Sequence, residues 1–212
     1  MSELRPVRRT LLRDTAYAAI RDAIVRGDLS PGTAVRDADL ADRLGLSRAP
    51  VRDALARLVD EGLVETKPQS YTRVTPLVTR DARDAAAVVR AMHELAVGTA
   101  VALLTPADLD DMRQANRRFD AATRAGDLDA ALAADDDLHD VPVRVCGNRA
   151  AAVTVARYTP LIRRLEWQRF GTAGGRESVA RHDRLIDACA RGDVADAVAV
   201  TAQIWRSLEE LE

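Results

Sequence analysis

Three side chains in the second half of the chain have the types and spacing of a cation site. Asp135 and His139 stand four residues apart, so on one helix both can reach a single ion. His182, in a separate segment, offers a third donor. Asp136, three residues before His139, is a reserve ligand should the register differ. Cys146 and Cys189, the only cysteines, each follow a histidine by seven residues. Two helical turns span ~10.5 Å and zinc–ligand bonds are ~2.0–2.3 Å, so neither cysteine can share an ion with the histidine of its own helix. Both read as small buried apolar groups. The alternative for Asp135, His139 and His182 is a buried hydrogen-bonded network with Arg90 as its counterion. In the front third the reactive types are arginines. Arg48 and Arg52, four apart, project from one helix face, and an Arg fork on guanine O6 and N7 gives ~1–3 kcal/mol of discrimination. A solvated arginine face is the competing reading.

The elements that must carry these groups follow from periodicity and punctuation. Apolar residues from Leu12 to Ile24 make a helical stripe over residues 11–26, ended by Gly27. A short helix over 37–44 closes at Gly45, and Ser47 is the expected N-cap of a helix reaching Asp60, its hydroxyl accepting from a first-turn N–H. Pro50 is tolerable there because first-turn amides have no intrahelical partner. Two β-like runs, 63–66 and 72–75, flank a hairpin tip at 67–71. Helix, helix, three-residue turn, helix and hairpin outline a winged helix-turn-helix. After Pro76 the chain turns alanine-rich. Thr79 is the expected cap of a helix running to about Leu104, and glycine-marked breaks divide the remainder near 106–125, 128–145, 149–170, 176–191 and 194–211. The fold class is therefore mainly α: a winged helix-turn-helix domain over 1–76 and an all-α six-helix bundle over 77–212.

Composition agrees with this division. The 212 residues are 47% hydrophobic, 30% charged and only 3% aromatic, globular usage with a core of Ala, Leu and Val. No apolar run reaches the ~18 residues of a membrane span, and the Arg-rich start lacks a secretory signal. The two cysteines, with no C-x-x-C, exclude a disulfide framework and a Cys-type zinc finger. A cytoplasmic protein with no membrane partner is expected. Residues 1–76 hold 13 Lys and Arg against 11 Asp and Glu, and the rest hold 18 against 22. A front third of +2 permits DNA binding but makes a single copy weak, because affinity rests on phosphate neutralisation. Two copies on a palindrome gain by effective concentration, which predicts a C2 homodimer and a palindromic operator.

The run Leu40-Ala41-Asp42-Arg43-Leu44-Gly45-Leu46-Ser47-Arg48-Ala49-Pro50-Val51-Arg52, followed by Glu61-Gly62-Leu63-Val64 and preceded by Ile24 to Gly32, resembles the GntR family of bacterial transcription regulators. The second half is similar to the ligand-sensing domain of that family's FadR-type (FCD) branch. Arg90 and Glu94, Asp135 and His139, Asn148 after Gly147, and His182 with Ala188, Gly192-Asp193 and Ala197 match its motifs. The resemblance implies a dimeric regulator, not an enzyme, whose partners are double-stranded DNA and a small effector, an organic acid or related metabolite. It implies base contact by Arg48 and Arg52 and a phosphate-positioning Ser47. Arg43 and Arg57 are left between phosphate contact and solvent.

It also implies a divalent metal, zinc or similar, on Asp135, His139 and His182, with a further histidine 22 residues after His182. Position 204 is Ile, so that ligand is missing. Arg90, with Glu94 and Asn148, would hold the effector, an Arg fork matching a carboxylate. His93 is either a core or interface histidine or part of the pocket lining. At the wing, Tyr71 replaces the family's usual Gly. Either its hydroxyl reaches a phosphate, or the wing sits differently, or the ring props the hairpin, while Lys67 and Arg73 supply charge. Two rivals stand beside this reading. One is a DNA-binding module whose helical half only dimerises; the other is a metal-dependent hydrolase, for which neither a His-Glu-x-x-His pair nor a nucleophile elbow is present.

Overall fold

The computed structural model describes residues 11–67, 70–169 and 175–209. The chain divides into two compact units, Met1–Leu77 and Val78–Glu212. In the first, α1 (Leu12–Arg26), α2 (Asp37–Leu44) and α3 (Arg48–Asp60) precede β1 (Val64–Lys67) and β2 (Tyr71–Val74). The strands pair antiparallel, with Val64 opposite Val74 and Lys67 opposite Tyr71. Pro68 and Gln69 of the expected hairpin tip lie outside the described residues. The segment before α2 pairs with the other edge of β2: Val74 N donates to Thr33 O and Val35 N to Thr72 O, both at 2.9 Å. The hairpin is thereby tied to the start of α2.

Helix α1 buries Ala16, Tyr17, Ile20 and Ile24, and packs on the buried stripe of α3, Val51, Ala54, Leu55 and Leu58. Gly45, at φ 64, takes the left-handed conformation that turns α2 into α3. Ser47 has the extended backbone of an N-cap, but its side chain makes no cap hydrogen bond, contrary to the sequence expectation. One of the two amides a cap can use is absent: the third helical residue is Pro50, which has no N–H to offer. Thr79 likewise does not cap its helix; it is the first helical residue, and Val78 occupies the cap position.

The second unit, among the described residues, contains α4 (Thr79–Ala100), α5 (Pro106–Ala125), α6 (Leu128–Cys146), α7 (Arg149–Arg169), α8 (Gly175–Ala190) and α9 (Val194–Glu209). It is the expected six-helix arrangement without a strand. Helix α4 ends at Ala100, short of Leu104, and Thr105 opens α5 with a reciprocal capping box to Asp108, Pro106 standing first in the helix. The core gathers Met112 from α5, Leu138 and Val141 from α6, Leu185 and Ile186 from α8, and Val200 from α9. Helices α4 and α9 pack side by side, and a Cβ added at Gly98 would meet Val198 at 3.5 Å, an ordinary van der Waals contact. Cys189 is buried in this core and Cys146 is only half-buried. No described helix is long and apolar enough to cross a membrane.

Candidate nucleic-acid interface and candidate metal centre

Burial of Val51, Ala54, Leu55 and Leu58 against α1 turns the opposite face of α3 to solvent. Ser47, Arg48 and Arg52 are all exposed there, and Arg43 is exposed in the last turn of α2. Beside them runs a groove of about 720 Å³ between α3, the start of α2 and the hairpin, lined by Arg36, Asp37, Arg48, Arg52, Lys67 and Tyr71 among others. It brings the cationic side chains of Arg36, Arg48, Arg52 and Lys67 together with Asp37 beside the exposed N-terminus of α3.

Several arginines are engaged in ways the sequence did not foretell. Arg48 is held by Asp37 through three contacts: Nε to Oδ2 at 3.2 Å, and Nη2 to Oδ1 and to Oδ2, both at 3.0 Å. Arg57 is exposed, as one of its two sequence alternatives had it, but it is not loose. It lies 3.6 Å over the Tyr17 ring and donates to buried Glu61 at 2.9 Å, whose other oxygen accepts from the Tyr17 hydroxyl at 2.8 Å. Burial first, then Glu61, pushes the Tyr17 hydroxyl up to about 12. Arg73 adds little free charge to the wing, because Glu65 across the strand pair accepts from it at 2.5 Å. The half-buried Tyr71 ring lies 4.3 Å beneath its guanidinium, an arrangement that props the hairpin. Lys67 is exposed. Sequence reasoning missed Arg36 and Asp37, since nothing in their spacing announces a groove formed with residues 11 to 35 positions away.

In the second unit, the donor atoms of Asp135, His139 and His182 lie within 4.8 Å of one another. Asp135 Oδ1 is 3.3 Å from His182 Nε2 and 3.7 Å from His139 Nε2. Both rings are buried. The far side of His182 fixes its tautomer. Asn116 Nδ2 donates to Asp183 Oδ1 at 2.7 Å and to Val179 O at 3.2 Å, so the amide oxygen is what faces His182 Nδ1 at 3.0 Å. An amide oxygen only accepts, so Nδ1 carries the hydrogen. A neutral His182 then points a lone pair from Nε2 at a carboxylate oxygen. That pairing repels unless a proton or a metal cation stands between the two atoms.

Charges around the cluster favour a cation. Arg163 is the counterion of Asp135 at 2.5 Å, where the sequence reading named Arg90. The same guanidinium serves Asp136 at 2.5 Å and Glu166 at 2.6 Å, so one positive charge faces three carboxylates. Burial pushes the Glu166 carboxyl up to about 7 against the pull of Arg163. Burial also raises Asp135, but the charge of Arg163, the largest opposing influence, holds it well below the usual carboxylate range. His139 is pushed down to about 4, chiefly by burial, and is neutral at pH 7, the form that ligates. Asp136, the reserve ligand, is taken up by Arg163 and stands outside the donor set.

Arg90 and Glu94 pair with each other at 3.2 Å along α4. Asn148 is exposed, and its side-chain oxygen accepts from Ala150 N and Ala151 N at 3.1 and 3.2 Å, capping α7. The structure does not bring it into the Asp135 cluster. Ile204 packs partly buried among apolar neighbours. Beside it, Trp205 stacks on buried His93 with ring centroids 4.5 Å apart, and His93 meets His139 edge-on at 5.5 Å. Burial and the neighbouring His139 hold His93 well below the ordinary histidine value. The Trp205 Nε1–H is buried with no acceptor among the described residues.

Residues 12–74 match the family model for bacterial regulatory proteins of the gntR family, and residues 84–207 match the FCD domain. The chain belongs to the GntR family, with an FCD domain as its second half. An HTH-type transcriptional regulator of Streptomyces ambofaciens, uncharacterized and located in an unstable DNA locus, is 33% identical over 196 residues, covering 88% of this chain and 78% of its own length. The HTH-type transcriptional repressor RspR of Escherichia coli K12 is 22% identical over 195 residues, covering 92% and 85%. The E. coli McbR/YncC structure shares the fold with a TM-score of 0.82 at 20% identity, over 94% of this chain and 95% of its own. This GntR-family chain is thus a DNA-binding transcription regulator, and the families and relatives it matches are regulators rather than enzymes.

Proposed function

We propose that the chain is a cytoplasmic, ligand-responsive regulator that binds a palindromic operator as a homodimer, residues 1–76 reading DNA and residues 77–212 sensing and dimerising. Arg48 and Arg52 read bases from α3, with Ser47, Arg43, Lys67 and Arg73 near the phosphates and Tyr71 supporting the wing. Supporting the dimer, Val88, Ala91 and Leu95 recur at helical spacing on the exposed side of α4, and Val153 is exposed on α7, apolar surface of the kind that marks contact sites.

The observation that carries the sensing role is the buried convergence of Asp135, His139 and His182, with His182 held in the tautomer that leaves Nε2 bare. These three residues would hold a divalent cation such as zinc. When bound, it supplies a Lewis-acidic positive centre able to take an oxygen of a small carboxylate. Asn116 orients His182 and Arg163 orients Asp135, the support that ligating side chains need. Arg90 and Glu94 on α4, and the unsatisfied Trp205 Nε1–H, are the groups offered to the remainder of an effector. An effector that favours one arrangement of the two DNA-binding heads shifts the population toward it.

A second reading, a helical half that dimerises without sensing, is favoured by one observation: Ile204 stands where the family has its further ligand, and Arg163 already neutralises part of the cluster. Metal analysis of protein purified without chelator, followed by a thermal-shift screen of divalent cations and organic acids, separates the two. Bound metal and a ligand-dependent rise in melting temperature support sensing. A metal-free protein, silent across the panel, refutes it.

A further inference from the structure

We propose that Asp37 is a specificity-determining residue that buttresses Arg48 for base reading. The proposal rests on the reading of α3 as the DNA-contacting helix. A guanidinium has five N–H donors in a planar fork. Asp37 takes the edge formed by Nε and Nη2, at 3.0 to 3.2 Å. The other edge, formed by Nη1 and the second hydrogen of Nη2, remains available, and two parallel N–H groups are what guanine O6 and N7 accept. The Arg48 side chain is 64% exposed while that of Asp37 is only 20% exposed. The carboxylate is thus the fixed partner and the arginine the one reaching outward. Asp37 is itself anchored, as the first residue of α2, by the strand-like pairing of residues 32–35 with β2.

Two consequences of opposite sign follow. Holding Arg48 in place removes rotamer freedom before DNA arrives, so less is lost when the guanine contact forms. At the same time, a carboxylate in a groove that also carries Arg36, Arg52 and Lys67 repels phosphates on every sequence. Asp37 therefore strengthens binding where Arg48 finds its guanine and weakens binding everywhere else. It sharpens discrimination as an introduced repulsion does.

The test uses the full-length protein and two duplexes of equal length: the tightest recovered by in-vitro selection with the wild type, and a scrambled version. Anisotropy titrations at one fixed salt concentration compare wild type, Asp37→Asn, Asp37→Glu, Arg48→Ala and the double variant Asp37→Asn/Arg48→Ala. Asp37→Asn is expected to bind the selected duplex about tenfold more weakly, the size of one lost base contact, and the scrambled duplex as tightly or more tightly. Asp37→Glu should recover part of the ratio, and the double variant should be no worse on the selected duplex than Arg48→Ala alone. Selection repeated with Asp37→Asn should return a degenerate base pair in each half-site. Equal strengthening on both duplexes would make Asp37 a mere repulsive charge and overturn the proposal, as would no change on either. If Arg48→Ala leaves the selected duplex bound as before, the base-reading role of α3 fails with it, whereas an Arg48 effect without an Asp37 effect sinks the buttress alone.

Discussion

Replacing Asn116 by Ala should weaken metal binding far more than a surface change could, although Asn116 is not among the metal-donor residues. Its side-chain oxygen holds the hydrogen on His182 Nδ1 at 3.0 Å, and its amide is fixed by Asp183 and Val179. Without it, the buried imidazole can move its hydrogen to Nε2 and donate to Asp135 Oδ1, 3.3 Å away. That closes the lone pair a cation would use. His182 Nδ1 and Val179 O then lose Asn116 as their partner, and a buried polar group left unpaired costs about 1–3 kcal/mol, so the metal-free variant should be destabilised by that amount. Loss of a group that orients a ligating histidine typically lowers affinity 10- to 100-fold. At a free zinc concentration about 1,000 times the wild-type Kd, zinc adds about 4 kcal/mol to the wild type, and should add only about 1.4 to 2.7 kcal/mol to the variant. Urea unfolding with and without buffered zinc measures both quantities, and Trp167 and Trp205, the only two tryptophans, report on the helical unit. A variant that loses stability yet keeps the full zinc increment would refute the tautomer argument.

The metal-free protein should lose stability as pH falls from 6.5 toward 4. His139 titrates near 4 when folded and near 6.5 when unfolded, so the unfolded chain binds the extra proton in that window and folding pays for its exclusion, about 3 kcal/mol by pH 4. His139→Gln should reduce that slope in urea titrations across the range, the remainder belonging to buried His93, and parallel curves would contradict the assignment. Arg163→Met should destabilise by about 3–5 kcal/mol at pH 7, because Asp135 is left as a buried charge without its cation, while Glu166, already pushed up by burial, takes up a proton. A loss below about 1 kcal/mol in the same assay would mean that the three carboxylates are solvated.

What could be read from the sequence was what local spacing encodes. The stripe from Leu12 to Ile24, the Gly45 turn and the buried positions of α3 are periodic within single helices, and Asp135 and His139 announce themselves by being four apart. The groups that make the site work are not local. Arg163 reaches Asp135 across 28 residues and Asn116 reaches His182 across 66, so no window of the sequence pairs them, and Arg90 stands out in the sequence by its motif match, not by its distance from Asp135. Ser47 shows a different failure. Its residue type favours a cap, but capping depends equally on a free N–H in the first turn, and Pro50 removes the one at the third position. Arg48 looked free because its carboxylate partner, Asp37, sits on a different helix.

The most direct test of the account is quantitative footprinting of the wild type and Arg52→Ala on the DNA flanking the protein's own gene. Arg52 is exposed on α3, with no protein partner among the described residues. An inverted repeat protected by the wild type is expected, its half-sites spaced by about one or more helical turns. For the variant, occupancy should be weakened by about 1–3 kcal/mol per half-site at matched salt, with the fold unchanged. Protection without two-fold symmetry, or a footprint on which Arg52→Ala has no effect, would contradict the account.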